Sequence, residues 1–153
     1  MNKKVIIGIL VVIVLVLLFA CSGKGYKDTA IECIEAMLDG DTKKFVSTFS
    51  EELIEELMIE NDCSSKKLLI SNFDKKMDKV QEMLKDELGK KWKYKVEYID
   101  SELEDDMCIV YLDVTFIEKN WIGKKFEEKE TLDVYLIKEG RNWRVYSYPD
   151  LWI

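Results

Sequence analysis

The feature that most constrains this chain is a change in the period of its apolar residues close to residue 90. Before that point apolar side chains recur at spacings of three and four, and after it they recur at every second position. Tyr26, Ala30, Cys33, Ile34, Met37 and Leu38 share one helical face, with Gly40 placed to stop the helix and Asp41 placed to cap the next. Phe45, Val46 and Phe49 continue as a second stripe, extended by Leu53, Ile54, Leu57 and Met58 after a bend expected near Ser50. Asn61 to Ser65 reads as a loop in which Ser64 or Ser65 caps a long third helix. That helix carries Leu69, Phe73, Met77, Val80, Leu84 and Leu88, and Gly89 ends it.

From Lys91 onward the reading is strand. Trp92, Tyr94, Val96 and Tyr98 alternate with charged residues, and Glu102 to Asp106 is expected to turn. The segment 107–117 then places Cys108, Val110, Leu112, Val114 and Phe116 on one face. Its other face, with Met107, Ile109, Tyr111, Asp113 and Thr115, is only partly apolar. Residues 120–125 form a hairpin loop, 131–139 a third strand, Glu139 to Asn142 a tight turn and 142–148 a fourth strand. Helices followed by strands with short connections predict an α+β domain, with three N-terminal helices packed on a four-stranded antiparallel sheet.

At 153 residues the chain suits one domain. Hydrophobic residues are 48% and charged residues 35%, a globular composition, and the net charge is −7. An acidic chain repels phosphate backbones, which argues against nucleic acid as a partner. Histidine is absent. That removes Ser-His-Asp and Cys-His nucleophile pairs, the usual zinc ligands and the usual neutral-pH base. Chemistry would fall to carboxylates, tyrosine or lysine, and no residue set calls for a cofactor.

The amino terminus has Lys3 and Lys4, then an unbroken run without polar side chains from Val5 to Ala20. The run falls between the core of a signal peptide and a full membrane span of about 20 residues. At its end Leu18-Phe19-Ala20-Cys21 resembles a bacterial lipobox, with leucine three positions before cysteine and a small residue just before it. Phe19 stands where that pattern prefers something smaller. The resemblance implies a signal peptide over 1–20, acylation of the Cys21 thiol, a lipidated tether over 21–27 and a domain over 28–153. The domain would then be held at the outer face of the bacterial cell membrane, with the lipid bilayer as partner through Cys21. The alternative is an uncleaved single-pass anchor, which also leaves the domain outside the cytoplasm.

TAIECIEAMLDGDTKKFVSTFSEEL (29–53) and LIKEGRNWRVYSY (136–148) resemble the opening helices and last hairpin of the NTF2-like (cystatin-like, SnoaL-like) superfamily, including NTF2-like lipoproteins of Gram-positive bacteria. The resemblance implies helices over a curved sheet that can leave a cone-shaped cavity. Tyr111, Asp113, Tyr135 and Trp143 are the candidate lining residues. Asp113 and Tyr135 stand on neighbouring strands as the nearest counterparts of the aspartate base and tyrosine donor of the ketosteroid isomerase branch, whose roles are not carried over. The superfamily hosts many functions, so fold does not assign one. The expected function is a non-catalytic binding or interaction module for a small apolar ligand or an envelope protein. The alternatives are a scaffold subunit of a conjugation-type envelope complex and an isomerase-like enzyme.

Three further signals read as structural. Cys33 and Cys108 lie on apolar faces and Cys63 in a loop, with a Cys33–Cys63 disulfide open. Ser64-Ser65-Lys66-Lys67 matches S-x-x-K without its companion motifs. Glu102, Glu104, Asp105 and Asp106 lack the spacing of a calcium loop.

Overall fold

A computed structural model of the chain describes residues 24–119 and 125–148. The signal-peptide run, Cys21, Trp121, most of the expected loop at 120–125, and Pro149 lie outside the described residues. Four helices are described, α1 (Tyr26–Asp39), α2 (Thr42–Ser47), α3 (Glu51–Glu60) and α4 (Lys66–Leu88). They are followed by four strands, β1 (Lys93–Glu104), β2 (Met107–Lys119), β3 (Lys125–Glu139) and β4 (Asn142–Ser147). The strands pair antiparallel in the order β1-β2-β3-β4. The architecture is α+β, with the helices on one face of the sheet.

The helix ends follow their sequence. Gly40 adopts φ 72°, which lets the α1 terminus close with Asp41 N–H donating to the Ala36 carbonyl at 2.9 Å. A side chain at Gly40 would also press against Gln81 of α4, whose amide donates to the Leu38 carbonyl at 2.7 Å. Asp41, Ser50 and Ser65 cap α2, α3 and α4 by accepting from Lys44, Leu53 and Leu68 N–H.

Where one bent helix was expected across Ser50, there are two helices. The cause is β4. Val145 N–H donates to the Thr48 carbonyl and Ser50 N–H donates to the Val145 carbonyl, both at 2.8 Å, so Phe49 bridges Val145 in parallel. Backbone groups bonded to a strand cannot also close helical turns, so the helix breaks at Thr48–Ser50.

Two strand boundaries also differ from expectation. The turn expected at Glu102 to Asp106 shrinks to Asp105 and Asp106, with Asp105 at φ 49°. Pairing continues through Glu102↔Ile109 and Glu104↔Met107, because their charged side chains stay in water. The third strand begins at Lys125 rather than 131, since Glu128 and Glu130 pair with Phe116 and Val114 despite lacking an apolar pattern. A register shift between Tyr98 and Asp100 makes a bulge in edge strand β1.

The core lies between helices and sheet. Phe45 sits at its centre, 4.7 Å from the Phe49 ring, 5.4 Å from Tyr148 and 6.2 Å from Phe73. The inward strand residues Val110, Leu112, Val114, Val134 and Leu136 are fully buried. Cys33, Cys63 and Cys108 are free thiols, so the Cys33–Cys63 disulfide is not formed. Burial pushes the Cys33 thiol up to about 12, opposed by a hydrogen bond with Thr48, which makes it a packing residue rather than a nucleophile.

Candidate functional site

Strand alternation decides where the predicted lining residues point. Val110, Leu112 and Val114 face the helices, so Tyr111 and Asp113 between them face away. Tyr135 lies between buried Val134 and Leu136 and faces away too. These three stand on the outer face of the sheet, not in a cavity beneath the helices. Trp143 has the parity of buried Val145 and lies on the helix side, edge-on to Tyr26 at 5.7 Å and 87°. Its carbonyl accepts from the Thr29 hydroxyl at 3.2 Å, which seats the start of α1 on β4. The four residues do not surround one pocket.

Each outer-face residue has a specific partner. Tyr111 donates to Glu102 Oε1 across the strand at 3.0 Å, and this hydrogen bond raises its pKa. Asp113 is paired with Lys129 and accepts from the Thr131 hydroxyl at 2.8 Å. The bond from Lys129, with help from Thr131, lowers the carboxyl pKa against a smaller effect of desolvation. A base poised near neutrality needs the opposite shift. Tyr135 bonds Asp133, which raises the phenol, and its ring meets Tyr146 edge-on at 6.0 Å.

The same face holds a groove. In register across the sheet run Glu104, Met107 and Ile137, then Glu102, Ile109 and Tyr135, then Asp100, Tyr111 and Asp133. Met107, Ile109, Tyr135, Ile137 and Tyr146 form an apolar floor. On one side a hollow of about 130 Å³ is walled by Glu102 and Glu104. On the other a cleft of about 480 Å³ runs between Met107, Ile137 and Tyr146 and the acidic Glu52 and Glu56 of α3. Met107 is 49% exposed, so the floor is open to solvent. Among the described residues no group of His, Cys, Asp or Glu is arranged to hold a metal ion, the acidic hairpin included.

Of this groove, only Tyr135 belonged to the predicted lining. Met107 and Ile109 carried a signal, because they alternate with buried residues in a strand whose second face is not wholly polar. Glu52 and Glu56 carried none, because their position depends on the break at Thr48–Ser50 that carries α3 past β4.

No protein-family model matches the chain, and no curated protein matches it. Among solved structures, it is similar to a Campylobacter jejuni protein whose crystal structure bears the name NTF2-like transpeptidase. Identity is 16% over 78% of this chain and 94% of that one, with a TM-score of 0.46. It is also similar to a Xanthomonas campestris protein named for a calcium/calmodulin dependent protein kinase II association domain. There identity is 15% over 78% of this chain and 82% of that one, with a TM-score of 0.40. Both likenesses concern the arrangement of helices and sheet, and neither extends to an activity.

Proposed function

We propose that this chain is a lipid-anchored, extracytoplasmic interaction domain, held by acylated Cys21 and working by contact rather than catalysis. The observation that carries the contact half is the open, aromatic groove on the outer sheet face. Large half-exposed apolar side chains rimmed by charge are the composition of a docking surface, whereas a catalytic pocket excludes water from its acid and base. The interior supports the same reading, since the Phe45, Phe49, Phe73 and Tyr148 rings pack against one another between helices and sheet. For the anchor half, the support is the junction Leu18 to Cys21 after the apolar run. Two or more acyl chains, at about 0.8 kcal/mol per buried methylene, hold a domain of this size to a bilayer.

The test is the intact mass of the protein purified from membranes of a bacterial host. Loss of residues 1–20 with a diacylglycerol adduct is expected, and Cys21→Ala should leave an unlipidated precursor. A wild-type chain that keeps its amino terminus without lipid would overturn the anchor and favour the single-pass scaffold.

A further inference from the structure

The groove between two acidic walls has a partner chemistry written into it. From this geometry, and resting on the reading of the chain as an interaction domain, we infer that the outer sheet face binds a cationic segment of another protein whose apolar and Lys or Arg side chains alternate.

The floor and the walls make separate demands. Met107, Ile109, Tyr135, Ile137 and Tyr146 offer apolar surface and aromatic faces, which favour apolar side chains and stack with guanidinium groups. Glu102 and Glu104 of β1 and Glu52 and Glu56 of α3 stand on opposite sides of that floor and are exposed. Asp100 and Glu97 extend the acidic row along β1, and Asp133 closes the end of the floor. Glu97 is paired with Lys95 at 2.8 Å, whereas among the described residues no Lys or Arg pairs with Glu52, Glu56, Asp100, Glu102, Glu104 or Asp133. Lys129 is already engaged by Asp113, and Arg144, on the adjoining strand, turns its guanidinium to the Ser47 carbonyl at 2.7 Å. Two phenols hold the rim in place, Tyr111 on Glu102 and Tyr135 on Asp133. A second copy of the chain centred on the same patch would bring carboxylates against carboxylates, which is unfavourable across an interface. A partner with cationic side chains on both sides of an apolar ridge meets both walls and the floor. An extended segment does this with every second residue.

The experiment uses the full chain in nonionic detergent and a fluorescein-labelled peptide alternating Lys and Phe, with a Glu and Phe peptide as counterpart. Fluorescence anisotropy should show binding of the cationic peptide alone, weakening as salt screens the walls. Reversing one charge on each wall, Glu102→Lys with Glu56→Lys, should weaken it about tenfold. Met107→Ser, at a half-exposed position that leaves the core intact, should weaken it about threefold. The double reversal Asp78→Lys with Glu82→Lys, on the exposed side of α4, should leave affinity unchanged. Equal weakening by that control would reduce the binding to attraction by net charge and overturn the inference. So would equal binding of the acidic peptide. If no peptide binds and the chain instead self-associates in sedimentation, with Met107→Glu abolishing it, the partner class fails while the interaction reading stands. If neither occurs, both fail.

Discussion

The two faces of the sheet are made by the same three long strands and differ in almost every property. On the inner face Val110, Leu112, Val114, Val134 and Leu136 are fully buried under the helices. On the outer face Met107, Tyr111, Asp113, Tyr135 and Ile137 meet solvent, and polar groups there bond one another: Tyr111 with Glu102, Asp113 with Thr131 and Lys129. One strand therefore serves two purposes by alternation. Removing atoms from the inner face should cost folding energy, and changing the outer face should cost contacts with other molecules.

The largest expected effect is on the inner side. Phe45→Ala removes the ring that touches Phe49, Phe73 and Tyr148, and should lower stability by about 3–5 kcal/mol in urea unfolding. A loss under 1 kcal/mol would mean this ring cluster is not the core. Next comes the break that lets α3 leave the helical layer. Ser50 is fully buried and its hydroxyl accepts from Leu53 N–H at 3.1 Å. Ser50→Ala should cost about 1 kcal/mol as a lost cap, and no change would indicate that the β4 bridge alone fixes the break.

Tyr94 ties edge strand β1 to α1 on the inner side, since its ring lies inward while its hydroxyl donates to Asp39 Oδ1 at 2.6 Å. Desolvation, then the bond to and charge of Asp39, raises the phenol pKa above its ordinary value of 10.0. A raised folded-state pKa gives stability that is complete below the unfolded value and is lost as pH rises through the folded one. Stability should therefore fall above about pH 10, with Tyr111 and Tyr135, also raised, contributing in the same direction. Tyr94→Phe should make that alkaline decline shallower in melting curves across pH 9 to 11. An identical decline in the variant would remove Tyr94 as a source. The smallest effect is on the outer wall. Glu104→Gln, at an exposed position, should alter stability by less than about 0.5 kcal/mol, and a larger loss would show the wall to be structural.

How far the residues alone reach depends on the same division between faces. Apolar spacing placed α1, α4 and the paired strands, because burial imposes a period that charge does not interrupt. It could not place the break at Thr48–Ser50, since that depends on hydrogen bonds to Val145, nearly a hundred positions away in sequence. It also missed the strand ends at Glu102–Glu104 and Lys125–Glu130, where pairing outlasts the covered face and charged side chains stay wet. For the site, residue type is informative only together with the direction that strand alternation gives it. Tyr111 and Asp113 share a strand with Val110, Leu112 and Val114. Residues of opposite parity point to opposite faces of a strand, so they cannot line one cavity under the helices. Trp143 went with the other parity, so the predicted set divided between the faces.

Methionine methyl groups sample both faces at once. Met107 is 49% exposed on the outer floor, whereas Met37 and Met77 are 2% and 1% exposed in the core. The most direct test is therefore the NMR spectrum of the full chain carrying ¹³C-methyl methionine, recorded as the alternating Lys and Phe peptide is added. The Met107 resonance should shift and saturate, while those of Met37 and Met77 stay in place. Shifts at Met37 and Met77 with Met107 unmoved would place binding in the interior and contradict the assignment of contact to the outer face.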